Sequence, residues 1–172
     1  MAEYLTLFDE NGRDTGFVQL RDETVRAGAY YMVVSVFARD ENGDFLVTQR
    51  SPQKQSYPLC WEVTGGCVQA GESSELGARR ELEEETGLVP EQLTYLGRVT
   101  CPTRTGGAFF LVEVFEARVK GIAPAIRMQE GEVCDYKWVD ARGLARVVKE
   151  EPMEPLVPVA FEAFCKELVG EV

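Results

Sequence analysis

Apolar runs separated by polar turn signals dominate the first third of the chain, and this pattern predicts strands. Tyr4–Phe8 and Thr15–Leu20 flank an Asp-Glu-Asn-Gly turn, which predicts a β-hairpin because Asn and Gly tolerate a positive φ. Tyr30–Ala38 is an almost continuous apolar run, which indicates a strand buried on both faces. A second Asn-Gly pair predicts a return strand over Phe45–Gln49.

The middle of the chain changes from strand-like to helical patterning. Arg50–Pro58 is polar and contains prolines, which predicts a loop, and Cys60–Thr64 predicts a short strand that runs into a Gly65-Gly66 turn. A helix is predicted from about Ser73 to Thr86, with one of its first two serines as the N-cap and Gly87 at its C-terminal end.

The last third of the chain predicts further strands over Leu93–Thr100, Ala108–Val119 and Cys134–Val139, and then two helices. Asp140 is placed to cap the first of these helices. Their predicted core-facing positions are Leu144, Val147 and Val148 in the first, and Phe161, Phe164, Cys165 and Leu168 in the second. Strands and helices interleave, so the predicted class is α/β or α+β with a mixed sheet flanked by helices.

Length and charge restrict the function. The 172 residues fit one domain, and the formal net charge of −11 disfavours nucleic acid or an anionic membrane as a partner. A small anionic substrate stays compatible with this charge if a cation mediates the contact. No apolar run approaches the ~20 residues that span a bilayer. The N-terminus has neither a basic nor an apolar leader region, so we expect a cytoplasmic protein.

The available chemistry is limited because the chain contains no histidine. Acid–base catalysis or metal binding must therefore use carboxylates, Lys, Tyr or Cys. The five cysteines form no C-x-x-C pair, which argues against a disulfide framework or a zinc site, and we expect free thiols.

The predicted central helix carries an unusual cluster of acids. Glu84 and Glu85 lie three and four residues after Glu81 and share its face, whereas Glu83 points away and is expected to pair with Arg79. Like charges on one face repel each other, and acids near the C-terminal end oppose the helix dipole.

A divalent cation would relieve this repulsion, and carboxylate and carbonyl oxygens suit Mg²⁺ or Mn²⁺. Gly77, predicted on the same face, would leave room for a ligand to approach. A solvated acidic face is the alternative explanation of the cluster.

The spacing of these residues resembles the Nudix box at every fixed position. Gly66, five residues, Glu72, seven residues, and then Arg80-Glu81-Leu82-x-Glu84-Glu85-x-Gly87-Leu88 reproduce that motif. The resemblance implies a Nudix α/β/α sandwich with a mixed β-sheet, here with an N-terminal β-hairpin extension. We expect one domain over residues 1–172, in which residues 1–28 form the hairpin and linker and residues 29–172 form the Nudix core.

The resemblance also implies a reaction: metal-dependent hydrolysis, by water attack at phosphorus, of a diphosphate linkage in a nucleoside diphosphate derivative or similar small molecule. Mg²⁺ or Mn²⁺ is the implied cofactor, and a homodimer is compatible with the family. Carried over residue by residue, the resemblance implies that Glu84, Glu85 and the Gly66 carbonyl bind the metal. Glu81 would be a further ligand or the base, and Arg80 would orient its carboxylate. Glu72 and Gly87 would support the motif.

Outside the motif, Glu132 is the first candidate for a second base or ligand and Glu130 the next, with a solvated loop acid as the alternative. Residues that could contact phosphates are Arg50, Lys54 and Arg104, and residues that could stack on a base are Tyr57, Trp61 and Phe109. Ordinary surface or core positions are the alternative for all six.

Two other functions are weighed against hydrolysis. The N-terminal half resembles the Nudix branch that contains isopentenyl-diphosphate isomerases, but those enzymes use a catalytic cysteine and metal-binding histidines. Here histidine is absent, Gly65 falls near the expected cysteine and Cys67 is displaced from it. A non-catalytic nucleotide-binding Nudix module is the second alternative, although such modules often lose motif carboxylates and none is lost here. The substrate itself stays open.

Overall fold

The computed structural model describes residues 3–21, 23, 25, 28–102 and 109–166. The strands in these residues are β1 (Tyr4–Phe8), β2 (Asp14–Leu20), β3 (Tyr30–Arg39), β4 (Phe45–Arg50), β5 (Trp61–Glu62), β6 (Thr64–Cys67), β7 (Gln92–Pro102), β8 (Phe109–Arg118) and β9 (Val133–Val139). The helices are α1 (Ser74–Thr86), α2 (Ala141–Glu150) and α3 (Leu156–Ala160), and α3 continues into a π-helical turn, Phe161–Cys165. Among the helices of these ranges, none has the length and apolar character needed to cross a membrane.

Strand β3 lies at the centre of a mixed sheet. It pairs in parallel with β8 over ten residues, from Tyr30 opposite Phe109 to Arg39 opposite Arg118, and antiparallel with β1, β4 and β6. Strand β7 extends the sheet beyond β8, β2 extends it beyond β1, and β5 and β9 pair with β4. The mixed sheet predicted from the interleaved elements is therefore confirmed.

Two hydrophobic cores lie on opposite faces of this sheet, which explains the apolar run of β3. Its apolar side chains at odd-numbered positions contribute to the core that α2 and α3 cover, and its side chains at even-numbered positions from Met32 to Ala38 contribute to the core that α1 covers. The first core includes Tyr31, Val33, Phe37, Leu144, Val147, Val157, Ala160 and Phe161. The second includes Met32, Val34, Val36, Ala78 and Leu82. The molecule is thus the α/β/α sandwich that the sequence predicts.

The predicted helix caps are present. The Ser73 hydroxyl accepts a hydrogen bond from the backbone N–H of Leu76 at 3.2 Å, and Gly87 ends α1 with φ of 73°. The Asp140 carboxylate caps α2 by accepting from the N–H of Gly143 at 2.6 Å. Local side-chain chemistry therefore sets the ends of the helix that carries the acidic cluster.

The predicted turn at Gly65-Gly66 is wrong, because both residues lie within β6, opposite Ser35 and Val34 of β3. A Cβ at Gly65 would lie 2.4 Å from the Val34 carbonyl oxygen. The glycine is needed for close approach of two strands rather than for a change of chain direction.

The N-terminal hairpin forms as predicted and packs beside the motif. Strands β1 and β2 pair antiparallel, and the side chains of Leu5 and Leu7 are buried in the core. The backbone N–H of Ala70, in the loop between β6 and α1, donates to the Tyr4 carbonyl at 2.8 Å. The hairpin is thereby fixed against the loop that leads into the acidic helix.

Candidate active site

An open cleft of about 470 Å³ lies between the acidic face of α1, strand β6, the chain segment before β9 and the N-terminal hairpin. Its walls include Gly65, Gly66 and Gln129. The charged residues that line it are Glu3, Arg21, Lys54, Arg80, Glu81, Glu84, Glu85 and Glu132. Five carboxylates therefore face three cationic side chains in one concave site.

The three motif glutamates of α1 line this cleft at graded depths. The side chain of Glu84 is 50% exposed, that of Glu81 is 13% exposed, and Glu85 is buried. A Cβ at Gly66 would lie 2.3 Å from Glu81 Oε1. The bare glycine therefore allows the Glu81 carboxylate to lie directly against the backbone of β6.

Arg80 ties the motif together with all five of its N–H donors. Its Nε and Nη2 donate to the two carboxylate oxygens of Glu72, each at 2.9 Å. Its Nη1 donates to Glu81 at 2.7 Å and to Glu84 at 3.2 Å, and Nη2 also donates to the Cys67 carbonyl at 3.0 Å. The guanidinium thus fixes the loop carboxylate and two of the helix carboxylates relative to β6.

Burial separates the protonation behaviour of these acids. Burial raises the pKa of Glu85 well above its usual value, and the neighbouring charges of Glu62 and Glu81 raise it further. Burial also raises the pKa of Glu81, although Arg80 opposes that shift. For Glu72, hydrogen bonds from Arg80 and from the Gln69 N–H outweigh burial and lower the pKa. Burial therefore favours the neutral forms of Glu81 and Glu85, whereas the hydrogen bonds to Glu72 favour its anion.

These acids fit a divalent cation by their chemistry. Within the described part of the chain, no three acidic or thiol side chains stand in the arrangement of a formed metal site, and Arg80 bridges Glu81 and Glu84 instead. However, Glu85 Oε2 is buried and has no hydrogen-bond partner among the described residues. An orphaned carboxylate oxygen beside two further carboxylates is the oxygen-only donor set that Mg²⁺ and Mn²⁺ prefer.

Two expectations about the helix surface are wrong. Arg79 forms its ion pair with Glu75 at 3.2 Å, one turn before it, rather than with Glu83. Gly77 does not hold space open for a ligand, because a Cβ there would lie 3.2 Å from Glu72 Oε2. Its bare backbone instead lets the loop carboxylate pack against α1.

The loop acids predicted outside the motif have different positions. Glu132 lines the cleft and forms an ion pair with Lys54, and its carbonyl accepts from the N–H of Ser51 at 2.8 Å. Glu130 is exposed and is absent from the cleft walls that the described residues form. The same segment is attached to α1, since the N–H of Gln129 donates to the Glu85 carbonyl at 3.1 Å.

A second cavity of about 500 Å³ adjoins the first and shares Arg21, Lys54, Gly65 and Gly66 with it. Its apolar walls include Val33, Val63, Phe110, Leu156 and Val157. Its polar side chains include Arg50, Ser56, Tyr57, Glu62 and Glu154. A partly apolar cavity therefore lies next to the cleft.

Glu62 and Glu154 are site residues that sequence reasoning missed. Glu62 accepts from Arg50 at 2.6 Å, and burial raises its pKa to about 7 although Arg50 opposes the shift. Burial also raises the pKa of Glu154, whose carboxylate accepts from the N–H of Leu156 at 2.8 Å. The sequence signal for Glu62 was an acid inside an otherwise apolar strand, with Arg50 at the end of the preceding strand.

The six residues proposed for substrate contact are thus scattered. Lys54 lines the cleft, and Arg50 and Tyr57 line the second cavity, although Arg50 is already paired with Glu62. One face of Trp61 is covered by Lys137, whose Nζ lies 3.8 Å from the centre of the ring, and the side chain packs against the first core. Arg104 lies outside the described residues, and for Phe109 the structure describes only the strand position in β8.

A mixed sheet between helices, with a strand–loop–helix unit that gathers carboxylates at an open cleft, defines a Nudix-type fold and site. The family model of the NUDIX domain matches residues 29–159. The chain belongs to the Nudix hydrolase family. Enzymes of this family hydrolyse pyrophosphate bonds and generally use divalent metal ions.

Comparisons with individual proteins give a Nudix hydrolase, an isomerase and a solved structure of similar fold. A Nudix hydrolase of Listeria monocytogenes is 32% identical over 84 residues, which cover 48% of this chain and 50% of that protein. This chain therefore spans about half the length of that relative. An isopentenyl-diphosphate Δ-isomerase of Klebsiella pneumoniae is 24% identical over 157 residues, covering 88% and 83% of the two chains. The crystal structure of DR0079 from Deinococcus radiodurans superposes with a TM-score of 0.72 at 24% identity, covering 93% and 98%.

Proposed function

We propose that this chain hydrolyses the diphosphate linkage of a small molecule, such as a nucleoside diphosphate derivative, with the aid of Mg²⁺ or Mn²⁺. The observation that carries the proposal is the orphaned, buried Glu85 Oε2 beside Glu81 and Glu84 in the cleft. An acidic cleft would repel a diphosphate, so this donor set makes sense when a cation mediates the contact.

Different residues of the chain would bind the cation, position the carboxylates and accept the proton. Glu81, Glu84, Glu85 and the Gly66 carbonyl would hold the cation, which supplies charge neutralisation and a bound water of lowered pKa. Arg80 holds the Glu81 carboxylate in place at 2.7 Å. Burial raises the pKa of Glu81, which makes its carboxylate a stronger proton acceptor than an exposed glutamate.

Water would attack one phosphorus of the diphosphate, lose a proton to Glu81 or Glu132, and break the bond from that phosphorus to the bridging oxygen. Glu132 is the second candidate base, and Lys54 beside it holds its carboxylate at the cleft wall. The choice between the two metals, a homodimer and a cytoplasmic location stay predictions from the sequence.

Isomerisation is the second candidate because the isomerase relative covers most of this chain. The structure offers little support for cysteine chemistry, since Cys67 is 7% exposed and burial raises the pKa of its thiol to about 11. A thiol in that state is a poor nucleophile and a poor proton carrier at neutral pH. Product analysis after incubation with isopentenyl diphosphate distinguishes the two reactions.

The proposal is tested by phosphate release from a panel of nucleoside diphosphate derivatives, with and without Mg²⁺ or Mn²⁺. We expect metal-dependent turnover of at least one compound, and a loss of about 100-fold or more in Glu84→Gln and Glu85→Gln. Glu83→Gln is the matched control, because Glu83 is exposed on the same helix and does not line the cleft. Turnover that survives both cleft substitutions would contradict the proposal.

A further inference from the structure

We infer that Arg21, contributed by the N-terminal hairpin, binds the diphosphate of the substrate; this inference rests on the proposed function. Arg21 follows β2 directly and lines both the cleft and the second cavity. It lies outside residues 29–159, which the family model matches. The site would therefore include a residue from an extension that the Nudix core does not supply.

The backbone fixes Arg21 opposite the motif. The N–H of Arg21 donates to the Glu3 carbonyl at 3.0 Å, and the Tyr4 carbonyl accepts from Ala70 of the motif loop at 2.8 Å. These two bonds connect the end of the hairpin to the loop between β6 and α1. Arg21 is also close enough to Glu81 for the two charges to interact electrostatically.

The three cationic side chains of the cleft differ in how many of their N–H donors are already used within the protein. Arg80 uses all five of its N–H donors within the motif, and Lys54 forms an ion pair with Glu132. Among the described residues, the side chain of Arg21 donates only through Nη1, to Glu3 at 2.7 Å, and it is 48% exposed. Of these three side chains, Arg21 therefore has the largest number of unused N–H donors within the described part of the chain.

Such a guanidinium matches a diphosphate by geometry and by charge. Its planar, forked donors bind phosphate oxygens in pairs, and its charge cannot be lost at physiological pH. Arg80 and Lys54 are paired with carboxylates, and Arg21 is paired with Glu3 through Nη1, so Arg21 presents its remaining donors to the cleft from the hairpin. The diphosphate would then be held from two sides.

The test measures the Kd of inorganic pyrophosphate in the presence of Mg²⁺ by calorimetry. We expect Arg21→Gln to raise the Kd about tenfold, which corresponds to about 1.4 kcal/mol. Arg13→Gln is the matched control, because Arg13 is an exposed arginine of the same hairpin that lines neither cavity. It should leave the Kd unchanged.

A second variant separates ligand binding from a structural role for the Arg21–Glu3 pair. If the pair only held the hairpin closed, Glu3→Gln and Arg21→Gln would lower the melting temperature and weaken pyrophosphate binding alike. If Arg21 binds the ligand, Glu3→Gln removes the negative charge that competes for Arg21 and should lower the Kd instead.

The failures of the two proposals are distinguishable. Pyrophosphate binding by Arg21→Gln equal to that of the unaltered protein would overturn the role of Arg21 and leave the hydrolase proposal intact. An unaltered protein that neither binds pyrophosphate nor turns over any diphosphate would overturn both.

Discussion

Replacing Glu85 by Gln should stabilise the metal-free protein while removing its activity. The carboxylate is buried, and its Oε2 lacks a hydrogen-bond partner within the part of the chain that the structure describes. An unsatisfied buried polar atom costs about 1–3 kcal/mol, and a charged one costs more. Because the amide of Gln stays polar, only the charge contribution is recovered. We therefore expect the free energy of unfolding to rise by about 2 kcal/mol near pH 8, or about 4–8 °C in melting temperature.

The gain should depend on pH with a definite sign. The folded-state pKa of Glu85 lies above its usual value of 4.5, so the folded state binds more protons than the unfolded state between these two values. The stability of the unaltered protein should then fall as the pH rises through that window. The advantage of Glu85→Gln should grow over the same range and vanish below about pH 4.5, where both forms of residue 85 are neutral.

Urea unfolding in the presence of a chelator, followed by circular dichroism at a series of pH values, measures this effect. Glu83→Gln is the control, since an exposed surface change should stay within about 0.5 kcal/mol at every pH. Excess Mg²⁺ should stabilise the unaltered protein more than Glu85→Gln. A gain that is absent near pH 8, or the same at every pH, would show that Glu85 is not a strained buried carboxylate.

Two further predictions concern neighbouring glycines and the buried ion pair. Gly65→Ala should reduce the yield of folded protein or its melting temperature, because the new Cβ would lie 2.4 Å from the backbone of β3. Gly66→Ala should leave the melting temperature unchanged and reduce turnover, because the new Cβ displaces the Glu81 carboxylate. Equal melting temperatures for the two variants would contradict this distinction. Arg50→Met should leave Glu62 buried without its partner and cost about 3–5 kcal/mol by chemical denaturation near pH 8, with a smaller loss at pH 5, where Glu62 is protonated.

Features set by local chemistry could be predicted from the sequence. The Ser73 cap, the αL residue Gly87 and the Asp140 cap each depend on a few adjacent residues, and the structure has all three. The two-sided burial of β3 follows from an almost continuous apolar run. The sharing of one helix face by the motif glutamates follows from helical periodicity.

Features set by contacts between distant segments could not be predicted in the same way. The role of Gly65 depends on how closely β6 approaches β3, which is a property of the sheet. Arg79 has acids both four residues before and four residues after it, and the sequence does not say which one it pairs with. The pairing of Arg50 with Glu62 requires knowledge that β4 and β5 are neighbours.

The position of the N-terminal hairpin beside the cleft is the clearest example of a feature that could not be predicted from the sequence. Its strands and turn were predictable, but its contact with the motif loop through Tyr4 and Ala70 was not. That contact brings Glu3 and Arg21 to the cleft wall. Neither residue belongs to a recognisable motif, so only the fold connects them to the chemistry.

The central claim is that Glu81, Glu84 and Glu85 gather on one face of α1 to hold a divalent cation against a diphosphate. Mn²⁺ binding followed by electron paramagnetic resonance, with and without pyrophosphate, tests it most directly. The account predicts that pyrophosphate tightens Mn²⁺ binding to the unaltered protein, and that Glu84→Gln and Glu85→Gln each abolish this tight binding while Glu83→Gln retains it. Mn²⁺ binding that is the same in all four proteins would contradict the account.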